Sequence, residues 1–188
     1  MQNIVIRQCG HEDESWINTL YKQNSKQALH QLGKSLDEGF VQDNAHFDQV
    51  MKQWIEIGAV YAAEIEGDPV GFLVIQHERA QHGPEIIQYI SSHENILILQ
   101  ERALSDLHYA GYGPVLVSHH ARGKGVAKAL HDHALHILKA EEFDAMVAFV
   151  DAENPTSLKI HVDALDMQII DKVVLASGQF FIIGQVIG

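Results

Sequence analysis

The spacing of hydrophobic positions predicts the secondary structure of the first part of this 188-residue chain. Residues 4–8 alternate apolar and polar, which is the pattern of a half-buried strand. Apolar residues at helical spacing follow an acidic first turn and predict a helix, in one piece or two, over residues 12–33. A second apolar stripe predicts a helix over residues 47–57. The runs 60–65 and 70–75 flank a turn and predict an antiparallel hairpin.

The pattern is weaker between this hairpin and residue 112. Residues 84–89 and 95–107 both tolerate a helical pattern, and we expect helices there. Residues 96–99, which read Ile-Leu-Ile-Leu, fit a strand equally well.

A strand, a glycine-rich loop, a helix and a second strand follow after residue 112. Residues 114–117 form a short apolar run, and residues 119–124 predict a loop. An apolar stripe over residues 126–138, with charges opposite, predicts an amphipathic helix. Residues 145–150 are uniformly apolar, as in a strand covered on both faces. We expect a right-handed crossover between two parallel strands.

The last part of the chain predicts one more helix and a closing hairpin. Asn154 and Pro155 are typical of an N-cap and of the first position of a helix. Residues 167–175 and 180–187, separated by a Ser-Gly turn, predict two paired strands. Since no repeat, low-complexity segment or linker interrupts these elements, we predict a single mixed α/β domain over residues 1–188.

Composition and charge limit the classes of function. With 46% hydrophobic residues the chain can bury a core without disulfides, and its one cysteine, Cys9, can form none within it. A formal charge of −12 lacks the basic footprint of nucleic-acid binding and favours cationic partners, amines included. No apolar run is long enough to cross a bilayer, and residues 1–7 lack the features of a signal peptide. We therefore expect a soluble, cytoplasmic protein that binds neither nucleic acid nor membrane.

One loop carries the chemistry of an anion site. It reads Arg-Gly-Lys-Gly over residues 122–125 and lies between a predicted strand and the first turn of a helix. Backbone amides and the positive end of the helix dipole favour a phosphate there. The P-loop pattern fails, because Ser118 takes the place of its first glycine and Gly125 follows Lys124. The dinucleotide pattern fails because Lys128 takes the place of its third glycine.

The same loop matches a third pattern, Arg/Gln-x-x-Gly-x-Gly/Ala, through Arg122, Gly125 and Ala127. It resembles the acyl-CoA pyrophosphate loop of the GCN5-related N-acetyltransferases, the GNAT family. The alternative is a strand-to-helix turn with incidental glycines.

The likeness extends along the chain in the family's order. Residues 6–17 resemble the family's opening strand and first helix, and residues 165–167, Leu-Asp-Met, stand where the family commonly has Leu-Gly-Phe. Asn154, Ser157 and Ile160 resemble its Asn-x-x-Ala/Ser-x-x-Leu/Ile helix. The resemblance implies the GNAT acyl-CoA N-acyltransferase fold, with a central mixed, mostly antiparallel sheet flanked by helices.

The resemblance also implies acetyl-CoA as co-substrate and residues that bind it. The strand before the loop would bind pantetheine through its backbone, and the amides of the loop and first helical turn would hold the pyrophosphate. Asn154 would bond the pantetheine arm, with a plain helix cap as its alternative role. The implied cofactor-binding residues are Val115, Leu116, Val117, Arg122, Gly123, Lys124, Gly125, Val126, Ala127, Lys128, Asn154 and Ser157.

Acetyl transfer needs an amine that loses a proton, a stabilised oxyanion and a thiolate that leaves. The family often protonates the sulfur with a tyrosine seven residues after the asparagine, and this chain has His161 there. We predict that His161 is the general acid, with a helix-surface histidine as the alternative. Many members carry a glutamate base where this chain has Gly-Tyr-Gly over residues 111–113. The base therefore stays open, and the candidates besides a water are His108, Asp106, Glu64 and His119.

Other conspicuous side chains have simpler explanations. Cys9 ends the first predicted strand, and direct transfer needs no covalent intermediate. Because the histidines after the loop have no third ligand of clear spacing, we predict no metal site. Those histidines are His131, His133 and His136. In the family the first two helices wall the acceptor site, and the aromatic residues in or near these helices are Trp16, Tyr21, Phe40 and Trp54.

The sequence therefore predicts an N-acetyltransferase that moves acetyl from acetyl-CoA directly to a primary amine. The acidic composition favours a small cationic amine. Family members pair through several surfaces, so a homodimer is compatible with the chain. The main alternative is a catalytically degenerate acyl-CoA-binding sensor or regulatory module of the same fold. A third is an unrelated α/β protein whose loop binds another phosphate ligand.

Overall fold

The structure, a computed structural model, describes residues 3–37, 39–78 and 83–188. Residues 1–2, which belong to the segment considered above as a signal peptide, lie outside the described residues. The strands are β1 (Ile4–Gln8), β2 (Val60–Ile65), β3 (Asp68–Gln76), β4 (Ile98–Leu99), β5 (Arg102–Ala103), β6 (Tyr109–Val117), β7 (Ala145–Asp151), β8 (Gln168–Leu175) and β9 (Gly178–Val186). The helices are α1 (Glu14–Asn24), α2 (Lys26–Gln31), α3 (Phe47–Glu56), α4 (Glu85–Ser92), α5 (Val126–Ala140) and α6 (Pro155–Lys159).

The chain divides into two compact units, each built from two separate segments. Unit 1 takes Met1–Ile75 and Gly113–Ala134, and unit 2 takes Gln76–Tyr112 and Leu135–Gly188. Strand β6 and helix α5 contribute residues to both units, so neither unit is a contiguous piece of the chain. The single domain expected over residues 1–188 stays a prediction.

Unit 1 contains the predicted antiparallel hairpin and the first three helices. β1 pairs with β2 from Ile4 opposite Ile65 to Gln8 opposite Tyr61, and β2 pairs with β3. The core lies between these strands and helices α1 and α3, where apolar residues are removed from water at helical spacing. Its most enclosed members include Ile17, Met51 and Phe72, each 0% exposed. The predicted strand and helices of this part of the chain are confirmed.

Unit 2 contains the predicted crossover strand and the closing hairpin. β7 and β8 both pair antiparallel with β9. β6 and β7 are parallel, with Tyr109 opposite Ala145 and Gly111 opposite Val147. The core collects apolar residues from α4, β4, β7 and β9. The predicted parallel pairing is confirmed, although β6 begins five residues before the predicted strand.

The fold class predicted from the resemblance is confirmed. Seven strands follow the order β1-β2-β3-β6-β7-β9-β8, and helices flank a sheet that is mostly antiparallel. In the described part of the chain, no helix is both long enough and apolar enough to cross a bilayer.

The helix predicted over residues 95–107 is wrong. This segment forms the two-stranded hairpin of β4 and β5, followed by a 3-10 turn at Leu104–Asp106. Gln100 and Glu101 both have positive φ, at 47° and 69°, which is the backbone of a tight two-residue hairpin turn. Side-chain exposure over residues 96–99 alternates with period two, at 60%, 2%, 48% and 1%. This alternation of exposed and buried positions is typical of a strand. The sequence does not reveal it, because all four residues are apolar.

Candidate active site

The glycine loop of unit 1 has the backbone shape of an anion cradle. Gly123 and Gly125 have φ values of +73° and +86°, which only glycine adopts without strain. A Cβ placed on Gly123 would meet nothing within 4 Å, and one on Gly125 would meet only Ile4 Cδ1 at 4.0 Å. Both glycines therefore present bare backbone to open space. A ligand can approach the chain there more closely than a side chain would permit.

Helix α5 starts directly after the loop and supplies unpaired donors. Its first helical hydrogen bond runs from the Ala129 amide to the Gly125 carbonyl, at 3.0 Å. The amides of Val126, Ala127 and Lys128 precede this bond, so the helix itself offers them no acceptor. They lie at the positive end of the helix dipole. These are three of the amides that the sequence assigned to a pyrophosphate.

The charged residues of the loop differ in how they are held. Arg122 donates from Nε to the Val117 carbonyl at 3.3 Å and from Nη2 to Asn24 Oδ1 at 3.1 Å. Its guanidinium therefore ties the loop to helix α1. Lys124 is exposed, so its ammonium group is accessible to a ligand.

The strand before the loop packs closely on β3. Val115 and Val117 are half-buried and Leu116 is buried. A Cβ on Gly71 of β3 would lie 2.8 Å from the Leu116 carbonyl oxygen, so no larger residue fits without a shift of the backbone. The Ser118 amide then donates to the Val70 carbonyl at 2.8 Å. The predicted pantetheine-binding residues are thus positioned from the β3 side.

A large cleft in unit 1 adjoins the loop. Its volume is about 1100 Å³, and its walls include helices α1 and α2, the segment after α2, and the segment 118–122 that follows β6. Of the aromatic residues assigned to the acceptor wall, Trp16 lines it. Tyr21 belongs to the core instead, because its hydroxyl donates to the Gln42 carbonyl and its ring stacks on Phe47 at 3.4 Å between centroids. Phe40 and Trp54 are buried and half-buried, and neither is among the lining residues of this cleft.

His161 lies in unit 2 on a π-helical turn, Ile160–Ala164, that continues helix α6. Its side chain is 6% exposed and makes an edge contact with the Tyr112 ring at 5.8 Å between centroids. Nδ1 lies 2.7 Å from the Ser157 carbonyl oxygen, so the neutral ring carries its proton on Nδ1 and offers Nε2 as an acceptor. Burial lowers the pKa of His161, and the bond to Ser157 opposes that shift only in part. The imidazole is therefore neutral at pH 7.

Asn154 caps helix α6, as one of its two predicted roles requires. Its Oδ1 accepts a hydrogen bond from the Ser157 amide at 3.1 Å, and Asn154 is 4% exposed. The cap fixes the turn whose carbonyl at Ser157 orients His161. Asn154, Ser157 and His161 thus form one local arrangement in unit 2, whereas Val115 to Lys128 lie in unit 1.

The four side chains considered as general base have different surroundings. Glu64 accepts a hydrogen bond from Arg7 Nε at 2.6 Å and is committed to that ion pair. His108 stacks on Phe143 at 3.9 Å between centroids, and Asp106 is exposed. His119 is exposed and lines the cleft of unit 1. Of the four, His119 alone is therefore a lining residue of this cleft.

The remaining candidates lack reactive or metal-binding surroundings. Cys9 is 7% exposed, and burial raises the pKa of its thiol to about 12. His131 is buried, while His133 makes an edge contact with Tyr61. Among residues 3–37, 39–78 and 83–188, no group of three or more His, Cys, Asp or Glu side chains could hold a metal ion.

The cleft also has lining residues that the sequence pattern did not single out. Lys34 and Ser35 follow α2, and Glu12, Gln23 and Asn24 lie on or next to α1. Gln23 and Asn24 end a helix that was predicted from its apolar spacing and its acidic first turn. The sequence signal that could have identified Gln23 and Asn24 as lining residues is the polar face of this helix, since the helix was expected to form the acceptor wall.

Known proteins share the sequence pattern and the fold of this chain. A model of the acetyltransferase (GNAT) family matches residues 27–164. No curated protein matches the chain in sequence.

Three solved structures share the fold at low sequence identity. A GNAT-family acetyltransferase from Streptococcus agalactiae is 15% identical, with 98% of this chain and 96% of that chain covered and a TM-score of 0.69. A polyamine N-acetyltransferase from Drosophila melanogaster is 14% identical, with 98% and 100% covered and a TM-score of 0.66. The yncA protein of Salmonella typhimurium, solved with its cofactor acetyl-CoA, is 16% identical, with 99% and 95% covered and a TM-score of 0.63. Because the family model spans more than half of its residues, this chain belongs to the GNAT family of acetyltransferases.

Proposed function

We propose that this protein is an N-acetyltransferase that transfers acetyl from acetyl-CoA directly to a primary amine. The observation that carries the proposal is the open cradle of Gly123 and Gly125 at the N-terminus of α5. Two structural neighbours support it: one was solved with acetyl-CoA, and another catalyses the formation of N-acetylagmatine.

The residues present fit the phosphates of acetyl-CoA. Within residues 123–128, the amides other than that of Lys124 would hold the pyrophosphate, because they combine open backbone with the positive end of a helix dipole. The Lys124 amide donates to the Ala121 carbonyl at 3.4 Å. Lys124 would add charge, and the fixed Arg122 would keep the loop in shape. The backbone of Val115, Leu116 and Val117 would bind the pantetheine arm, with Asn154 and Ser157 as further contacts.

His161 supports a proton shuttle in the reaction. The amine nitrogen attacks the thioester carbon and a C–N bond forms; the C–S bond then breaks, and the sulfur leaves as thiolate. The neutral imidazole offers Nε2 to accept the proton that the amine loses. The resulting imidazolium can donate that proton to the sulfur, which is the acid role predicted from the sequence. One residue would thus supply both functions.

The first experiment is calorimetric titration with acetyl-CoA, with ATP as a control phosphate ligand. We expect micromolar binding that is specific for acetyl-CoA. Gly125→Ala would place a methyl group in the cradle and is expected to weaken binding at least tenfold.

The matched control for this experiment is Gly67→Ala. Gly67 in the β2–β3 turn has a φ of +88°, and a Cβ placed on it would meet nothing within 4 Å, so the backbone strain is the same. Acetyl-CoA affinity should be unchanged in this variant. Equal affinity of the two variants would mean that the loop is a turn with incidental glycines.

Transfer itself is measured as release of the CoA thiol over a panel of amines. We expect no interference from Cys9, because burial raises the pKa of its thiol to about 12. We expect amine-dependent release. Tight binding of acetyl-CoA without release to any amine would instead identify an acyl-CoA-binding sensor.

A further inference from the structure

The charges that line the cleft of unit 1 differ from those of the whole chain. The chain has 25 acidic residues and 13 Lys and Arg. The described cleft lining has one carboxylate, Glu12, and two permanent cations, Lys34 and Arg122. The described part of the lining thus carries more positive than negative charge, in a strongly acidic protein.

The two cations are placed in complementary ways. Arg122 is fixed by Asn24 and by the Val117 carbonyl, so its charge is held at one position on the wall. Lys34 is exposed on the segment after α2 and has a long, mobile side chain. A rigid and a mobile cation in one cleft can bind an anionic group at a range of positions.

The remaining lining strengthens the same preference. Glu12 turns its carboxylate back over Gly10, since a Cβ on Gly10 would collide with the Glu12 carboxylate. His119 and His120 line the end of the cleft next to the loop. Ser15, Thr19 and Gln23 supply neutral polar groups, and Trp16 and Leu20 supply apolar contact.

We infer that the amine acceptor also carries an anionic group, a carboxylate or a phosphate, which binds in this cleft. The inference rests on the proposed function and differs from the cationic acceptor that net charge favours. Net charge is the weaker guide, because salt screens exposed charges beyond about 8 Å at physiological ionic strength. The charges that line the cleft act at contact distance.

The test compares amines that are matched in length but differ in charge. One set is β-alanine, O-phosphoethanolamine, propylamine and 1,3-diaminopropane, and a second is the amidated dipeptides Gly-Glu, Gly-Gln and Gly-Lys. We expect kcat/KM for the anionic members to exceed that for the neutral and cationic members at least tenfold. The advantage should shrink as salt is added. The carboxylate and phosphate arms show which anion is preferred.

Two lysine variants link the preference to the cleft. Lys34→Gln should lower kcat/KM about fivefold for the anionic amines. It should leave kcat/KM for propylamine and the Kd for acetyl-CoA unchanged. The control is Lys52→Gln, because Lys52 is an exposed lysine on α3 in the same unit but is not a lining residue of the cleft. Lys52→Gln should change neither kcat/KM for the anionic amines nor the Kd for acetyl-CoA.

The outcomes separate this inference from the proposed function. Faster transfer to the cationic or neutral amines would overturn the inference and leave the N-acetyltransferase intact. A Lys34→Gln variant that loses acetyl-CoA affinity would also overturn it, because the cleft would then hold phosphates of the co-substrate. Absence of transfer to every amine would count against the proposed function itself.

Discussion

At the scale of single residues, the role proposed for His161 depends on one local hydrogen bond. The sequence placed a histidine where the family often has tyrosine, and an imidazolium acid was the natural interpretation. The ring is buried on the π-helical turn, and its Nδ1–H group donates a hydrogen bond to the Ser157 carbonyl. Because burial lowers the pKa of His161, the resting state is a neutral base. A residue type and a spacing could not reveal this protonation state.

His161→Gln tests the proposed proton shuttle. We expect kcat to fall about 100-fold, since a positioned acid–base group contributes on this order, with the Kd for acetyl-CoA unchanged. In the wild type, kcat/KM should fall at acidic pH through a pKa below 6.5, and the variant should lack that limb of the profile. His136→Gln, on the exposed side of α5, is the control and should leave both unchanged. A fully active His161→Gln variant would contradict the proposed role of His161 and assign the proton transfer to water or to His119.

Asp166 illustrates a departure from the family that the backbone explains. It stands at the glycine of the Leu-Gly-Phe segment and has a φ of +57°, between the buried Leu165 and Met167. Aspartate tolerates this left-handed region better than most residues, though not as well as glycine. We expect Asp166→Ala to destabilise the protein by about 1 kcal/mol, and Asp166→Gly to be neutral or stabilising. Urea denaturation measures both, and equal losses in the two variants would contradict the explanation.

At the scale of elements, an ion-pair network joins β1, β2 and the start of α1. Arg7 binds Asp13 through both terminal nitrogens, at 2.7 and 2.8 Å, and binds Glu64 through Nε. Asp13 also accepts hydrogen bonds from the Trp16 indole and the Gly10 amide. These contacts set the position of α1, on which much of the cleft wall depends. They also lower the pKa of Asp13 to about 2 from 3.8.

Asp13→Asn tests this network through the pH dependence of stability. The folded protein holds the carboxylate charged, so its stabilising contribution is complete above pH 3.8 and is lost as pH falls through about 2. The variant should lose about 2 kcal/mol of unfolding free energy at pH 7. The difference in unfolding free energy between the variant and the wild type should become smaller as pH falls from 4 to 2.5.

The control for the network is Asp48→Asn, which removes an exposed pair with Lys22. Both side chains of that pair are more than half exposed, so the change should stay within about 0.5 kcal/mol. A loss in Asp13→Asn that is the same at pH 7 and pH 2.5 would assign the effect to packing instead of charge.

The elements also show what hydrophobic periodicity resolves. The amphipathic helices and the two long hairpins were predicted because each has enough positions to establish a period. Residues 96–99 are too few for that, and their turn uses Gln100 and Glu101 in place of the glycine or asparagine that would signal a hairpin. β6 was predicted too short, because Gly111 and Gly113 interrupt the sequence pattern of a strand.

At the scale of the whole molecule, the candidate site was predictable only where a local motif carries it. The glycine loop proposed to bind phosphate follows from a strand, two glycines and a helix start, all adjacent in sequence. The general base and the acceptor wall depend on which distant segments meet, so the sequence left several candidates open. Net charge is a sum over the chain, so it does not record the cationic residues Lys34 and Arg122 of the cleft lining.

Whether the two compact units unfold together decides the single-domain prediction. Each unit is made of two chain segments, and β6 and α5 run through both, so unfolding one unit would disrupt elements of the other. We therefore expect one cooperative transition. Both tryptophans, Trp16 and Trp54, belong to unit 1, so tryptophan fluorescence reports on that unit alone.

Coincident urea midpoints by tryptophan fluorescence and by hydrogen exchange of the β8 and β9 amides of unit 2 would establish a single domain. Acetyl-CoA should raise both midpoints equally, because a ligand of the native state stabilises everything that unfolds with its site. A fluorescence transition that shifts with acetyl-CoA while the β8 and β9 amides stay unaffected would show two domains. In that case the phosphate loop of unit 1 would bind the co-substrate without His161.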